Sequence, residues 1–141
     1  MGSLLNRLKE DYLKHGSLFI MFDFDDTVYP YSNKEDTCNK VIATLKRCNK
    51  AGFKLILFTA RERENGLEFA EQYLKELGIE YLYTNCNPEG DIKLGGVTRK
   101  PYCNLLLDDK AGLGHALEAL IILLSEIDKG KIKYDNNFRK S

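Results

Sequence analysis

The sequence predicts a three-layer α/β sandwich built on a mostly parallel sheet. Three observations carry that prediction. Unbroken apolar runs at 18–23, 53–59 and 104–108 read as short strands buried on both faces. Amphipathic helical stretches fall between and after those runs, so successive strands need crossover connections. Glycines punctuate the segments, at Gly16, Gly52, Gly78 and Gly130. At 141 residues, the expectation is one domain spanning 1–141.

Residues 3–15 read as a flanking helix, with Leu4, Leu5, Leu8 and Tyr12 on one face and Gly16 as its stop. Packing on the domain is its expected role. Strand one is 18–23, and residues 28–33 form a loop or small flap. Ser32 or Asn33 is placed to cap a helix over 34–50, whose apolar face is Val41, Ile42, Leu45 and Cys48. Strand two, 53–59, leads into a helix over 64–77 with Leu67, Ala70, Tyr73, Leu74 and Leu77 inward. Strand three is 81–84. Residues 85–103 are rich in turn formers and read as the least regular part. Strand four is 104–108, and the last helix, 113–128, turns Leu113, Leu117, Leu120, Ile121 and Leu124 inward. The tail, 131–141, is polar. It reads as a short edge strand near 132–134 or as loosely ordered chain.

Composition narrows the functional classes. Net charge is zero, so no global field draws the protein to nucleic acid or to an anionic membrane. No run approaches a transmembrane length, and charges interrupt the N-terminal apolar residues, which argues against a signal peptide. Cys38, Cys48, Cys86 and Cys103 are scattered, without a C-x-x-C pair. Reduced thiols in a cytoplasmic compartment are the expectation.

Two strands end in acids. The first runs Leu18-Phe-Ile-Met-Phe into Asp23, Asp25 and Asp26, and the fourth runs Leu105-Leu-Leu into Asp108 and Asp109. Charge at the end of a buried strand is costly to desolvate unless a metal, a proton or hydrogen bonds relieve it. Two carboxylates about 4 Å apart repel by ~4 kcal/mol at an effective dielectric near 20. In open parallel sheets ligands bind beyond the carboxyl ends of the strands. Asp23, Thr59 and Asp108 all belong to that edge, so pattern and topology alone bring them together.

The set resembles the haloacid dehalogenase-like superfamily of phosphotransferases and phosphatases. An apolar strand leads into Asp23-Phe24-Asp25-Asp26-Thr27, and a second ends at Thr59. A lysine followed by proline stands at Lys100-Pro101, and a further apolar strand ends in Asp108-Asp109. These motifs span 18–109 in the family's order. The resemblance implies a Rossmann-like sheet ordered 5-4-1-2-3, although no fifth strand is evident. The segments between motifs hold only a loop and a helix, or a helix, a strand and a short irregular stretch. The chain is thus expected to lack the cap domain that many relatives insert.

The resemblance also implies a chemistry. Asp23 attacks phosphorus and carries an aspartyl phosphate; Asp25 protonates the leaving oxygen and then takes a proton from water. Mg²⁺ is the implied cofactor, held by the Asp23 carboxylate, the Asp25 backbone carbonyl, Asp108 and, directly or through water, Asp109. Thr59 hydrogen-bonds the transferring phosphoryl group, and Lys100 pairs with Asp23 and the phosphate. Lys93 and Arg99 are the neighbouring alternatives for that cation. Thr59-Ala60-Arg61 forms the expected substrate-binding stretch, in which Arg61 either grips an anionic group or makes a surface ion pair. Thr27 is expected to orient the loop and Asp25, Asp26 to serve as a turn or cap, and Asn85 and Asn87 to form turns, with lining the rim of the site as their alternative. The expected partner is a phosphorylated substrate, with nucleic acid only in that role and a homo-oligomer left open. Two alternatives stand beside a phosphatase: a non-catalytic phosphate-binding or regulatory domain, and a phosphotransferase to an acceptor other than water.

Overall fold

In chain order the elements are α1 (Gly2–His15), β1 (Phe19–Phe22), α2 (Glu35–Lys50), β2 (Lys54–Leu57), a π-helical turn (Arg63–Leu67) running into α3 (Glu68–Leu77), β3 (Tyr83–Thr84), β4 (Lys93–Leu94), β5 (Val97–Thr98), β6 (Leu105–Leu107) and α4 (Leu113–Asp128). They come from a computed structural model that describes residues 2–85, 93–94, 97–98 and 103–134. Four strands pair in parallel in the order β3-β2-β1-β6. That is the 3-2-1-4 portion of the implied sheet, and no fifth strand joins it among the described residues. Within the stretch read as irregular, β4 and β5 pair as a small antiparallel ribbon.

The strand interiors explain the apolar runs. Ile20, Phe22, Leu55, Leu57, Leu105 and Leu107 share one face and are buried with residues from all four helices. Met21 and Ile56 project to the opposite face and are also fully buried. The sheet is therefore shielded on both sides, which is why these strands do not alternate with polar residues. Burying each such side chain is worth roughly 1.5–3 kcal/mol.

Helix α1 packs against α4. Leu8 is fully buried, Lys9 lies 3.1 Å from Glu126, and Asp11 accepts a hydrogen bond from Asn104 at 3.1 Å. Helix α4 has the bounds the sequence predicted, with Leu113, Leu117, Leu120 and Leu124 buried and Ile121 half-buried.

Three local expectations change. Helix α2 begins at Glu35, and neither Ser32 nor Asn33 caps it; its cap residue, Lys34, offers no side-chain bond. The Ser32 N–H donates instead to Asp26 at 2.6 Å, and Asn33 turns through a left-handed φ of 65°. Residues 132–134 form no strand. Ile132 and Tyr134 pack on the core instead, and the Tyr134 ring fills the space where a Gly16 side chain would sit. The strands are also shorter than the apolar runs, because ladder pairing stops where the acidic loops bend away.

Candidate active site

Register sets the site. Phe22 stands opposite both Leu57 and Leu107. The ladder runs one step further: the Asp23 N–H donates to the Leu107 carbonyl and the Phe58 N–H to the Phe22 carbonyl, each at 2.9 Å. Asp23, Phe58 and Asp108 therefore leave the sheet at one level. Beyond Asp23 the chain folds back sharply. The Phe24 carbonyl accepts the N–H groups of Thr27, Val28 and Tyr29. Asp26 takes a left-handed φ of 61°, a conformation in which aspartate is one of the tolerated residues.

The result is a cleft of ≈ 890 Å³ containing Asp23, Asp25, Thr59, Ala60, Arg61, Asp108 and Asp109. The Asp23, Asp108 and Asp109 carboxylates bring oxygens within 4.8 Å of one another, and all three residues are half-buried. Burial pushes the Asp23 carboxyl up from 3.8 to about 6. A hydrogen bond from the Phe24 backbone opposes the rise, and the charges of Asp108, Asp109 and Asp25 add to it. Three hard oxygen donors crowded against partial burial are a donor set suited to a small divalent cation.

Each acid is fixed by its surroundings. The Asp108 carboxylate accepts the Lys110 N–H at 2.9 Å and joins the acidic cluster. The Asp109 N–H donates to the Oγ1 of Thr27 at 3.1 Å, and Thr27 is fully buried. Thr27 thus ties the loop after β1 to the loop after β6, 82 residues away. This differs from the expectation that it orients Asp25, because the side chain points to the sheet neighbour rather than along its own loop. Asp26 serves its turn, accepting from Ser32, and that bond holds its carboxyl below the usual range. Lys34 sits 3.5 Å from Asp109 at the mouth of the cleft.

Asp25 is held by Arg61 in a fork. Arg61 Nε donates to one carboxylate oxygen at 3.0 Å and Nη2 to the other at 2.7 Å. The pairing in turn keeps the guanidinium more firmly charged. Arg61 was expected on the substrate or on the surface; the structure gives it a partner inside the site. Thr59 is nearly buried, and its Oγ1 accepts the Arg61 backbone N–H at 3.1 Å. That leaves the hydroxyl hydrogen to donate elsewhere. Asn85 clamps the Thr59 peptide, accepting its N–H at 2.8 Å and donating to its carbonyl at 3.1 Å. Asn85 does this from a left-handed φ of 59°, so the expected turn is also the support of Thr59. Its place at the end of β3, on the carboxyl edge of the sheet, was the signal for that role. Lys100, Asn87 and Arg99 lie outside the described residues, as does the Lys93 side chain. Cys38 and Cys48 are buried free thiols.

The model of the haloacid dehalogenase-like hydrolases matches residues 20–88. That span carries Asp23, Asp25, Thr59 and Arg61, and the sheet order delivers Asp108 and Asp109 to the same place. Over just under half of its length, the chain is thus similar to the haloacid dehalogenase-like hydrolases. A conserved protein from Bacteroides thetaiotaomicron has a similar solved structure, at 25% identity and a TM-score of 0.56. The similarity covers 81% of this chain and 92% of that one. No curated protein matches the sequence. The family match supports a general hydrolase, and the acidic cluster lies at the carboxyl edge of the parallel sheet. Among the described residues no helix is long and apolar enough to cross a membrane.

Proposed function

We propose that the chain is a capless, single-domain, Mg²⁺-dependent phosphatase of phosphate monoesters. One observation carries the reading: Asp23, Asp108 and Asp109 converge within 4.8 Å, in a cleft that also holds Asp25 and Thr59. The donors fit Mg²⁺, with the Asp23 and Asp108 carboxylates and the Asp25 carbonyl as ligands and Asp109 direct or through water. When bound, the ion neutralises the acids and lets an anionic nucleophile meet an anionic phosphate.

Asp23 is the nucleophile. One of its oxygens bonds to phosphorus as the ester P–O bond breaks. Asp25 passes a proton to the departing oxygen, and the product alcohol leaves. Water then attacks phosphorus, gives a proton to Asp25, and the Asp23–phosphorus bond breaks to release phosphate. Both acids end as they began. The Thr59 hydroxyl donates to a phosphoryl oxygen, and the Asn85 clamp fixes it for that purpose. Lys100 supplies the remaining positive charge. A cleft of ≈ 890 Å³ lies toward the upper end of typical ligand sites, and suits a nucleotide, a sugar phosphate or the end of a larger phosphorylated molecule.

The bidentate hold of Arg61 on Asp25 favours one other reading, a phosphate-binding domain without turnover, because it occupies both oxygens of the acid. Phosphate release separates the two. The panel comprises nucleotides, sugar phosphates, a phosphopeptide and a 3′-phosphorylated oligonucleotide, with and without Mg²⁺. Metal-dependent release that Asp23→Asn abolishes is the expected result. Folded protein that binds Mg²⁺ and turns over none of them would shift the reading to the binding domain. Added acceptor alcohols test transfer to a non-water acceptor.

A further inference from the structure

Arg61 is anchored from several directions that do not involve Asp25. Its guanidinium carbon lies 5.1 Å from the ring centre of Phe24, 5.5 Å from that of Phe69 and 5.8 Å from that of Tyr29. Those rings pack on one another: Phe24 and Tyr29 stack at 5.6 Å, and Phe69 meets both edge-on. Stacking of this kind favours the planar cation of arginine. The Arg61 Nη1 also points to the Gly66 carbonyl at 3.4 Å. Gly66 belongs to the π-helical turn, has a φ of 103°, and comes so close that a Cβ there would lie 2.6 Å from Nη1. A π-helical turn is uncommon and often marks a functional position. Here it brings a residue without a side chain against the guanidinium.

The two partners are therefore unequal. Arg61 has rings, a carbonyl and a backbone tie to Thr59 to hold it. Among the described residues, both side-chain hydrogen bonds of Asp25 come from Arg61. We infer that Arg61 is the positioning residue of Asp25: from its aromatic seat it sets the direction from which the Asp25 carboxyl meets the leaving oxygen. The inference rests on the phosphatase reading and adds a residue to it. In the first step one Asp25 oxygen keeps its bond to the fork while the other delivers the proton. In the second step that same oxygen takes the proton of the attacking water while the fork keeps the other, so the acid is restored for the next turnover. Arg61 itself touches no reacting atom.

The test is the dependence on leaving group. An alkyl phosphate needs a proton on its departing oxygen, whereas p-nitrophenyl phosphate departs as a stable phenolate and does not. General acid catalysis is worth ~10²–10⁴-fold. Arg61→Met keeps a long stem against the rings and removes the fork. It is expected to lower kcat/KM for an alkyl phosphate by about 10²-fold and to change that for p-nitrophenyl phosphate by only a small factor. Arg61→Lys, with charge but no fork, should recover part of the loss. Gly66→Ala, which displaces the guanidinium from its seat, should repeat the Arg61→Met pattern by a separate route. Arg61→Met in an Asp25→Asn background should cost nothing further, since both act through one group. Equal losses on both substrates, or a full additional loss in the double variant, would overturn the inference and leave the phosphatase reading standing. Absence of wild-type turnover on both substrates would overturn the reading and the inference together.

Discussion

Replacing Asp108 by asparagine should stabilise the metal-free protein and weaken its response to Mg²⁺. The Asp23, Asp108 and Asp109 oxygens lie within 4.8 Å. At that separation, and an effective dielectric near 20, each pair of full charges repels by ~3.5 kcal/mol. Half-burial, partial protonation of Asp23 near its value of about 6, and Lys34 beside Asp109 each reduce that figure. Asparagine keeps an oxygen to accept the Lys110 N–H, so the turn survives. The net expectation is a gain of ~1–2 kcal/mol at neutral pH, or roughly 3 °C in Tm per kcal/mol for a chain of this size. Mg²⁺ acts the other way. At a free concentration about tenfold above Kd it stabilises the wild type by ~1.4 kcal/mol, and a variant lacking one charged ligand gains much less. Thermal and urea unfolding in chelator and in Mg²⁺ give both numbers from one set of samples. If Asp108→Asn proves less stable without metal, or Mg²⁺ raises both proteins equally, the three acids are not a mutually strained cation site.

Other outcomes follow from the same geometry. Thr27→Val preserves shape but leaves the buried-side Asp109 N–H without its acceptor, and should cost ~1–3 kcal/mol in urea unfolding, with a weaker Mg²⁺ response. Asn85→Ala removes both bonds that clamp the Thr59 peptide and puts alanine at a left-handed φ; a loss of ~2 kcal/mol and a raised KM for phosphate esters are expected. Asp23 gives a pH signature. Its folded value of about 6 lies above the ordinary 3.8, so the fold binds this proton more tightly than the unfolded chain does. The stabilisation is complete below about 3.8 and lost as pH rises through about 6. The whole difference is worth ~3 kcal/mol, reduced to ~1 kcal/mol at a half-exposed carboxylate. Wild type compared with Asp23→Asn, both without metal, should therefore lose relative stability from about pH 4, near the ordinary value, to about pH 7, a unit above the folded one, and Mg²⁺ should flatten the difference.

Strand direction and the edge that carries the acids were legible in the sequence because each depends on a pattern the chain repeats, whereas the sheet order came only from the resemblance. Buried parallel strands must be apolar throughout, and crossover helices leave their stops in glycine. Helix α4 was readable to its last residue, since an apolar face runs from Leu113 to Leu124 and Gly130 follows as a stop. What escaped were contacts between distant side chains. Thr27 meets Asp109 across 82 residues, and Arg61 meets Asp25 across 36. Nothing in the local sequence marks either, because each depends on how two loops leave neighbouring strands. The expected Ser32 or Asn33 cap failed because the helix begins later: its cap position is Lys34, while the Ser32 N–H closes the Asp26 turn. Arg61 lines the cleft just beyond β2 and pairs with Asp25, where the sequence left a substrate contact and an ion pair both open.

The central claim is that Asp23 carries phosphate during turnover. The direct measurement is an acid quench of the working enzyme with Mg²⁺ and the best substrate of the panel, followed by peptide mass spectrometry. The account predicts one phosphoryl group on the peptide containing Asp23, labile to hydroxylamine as an acyl phosphate is, absent in chelator and absent in Asp23→Asn. Robust turnover with no phosphoryl group on that peptide, or with the group on another residue, would contradict it.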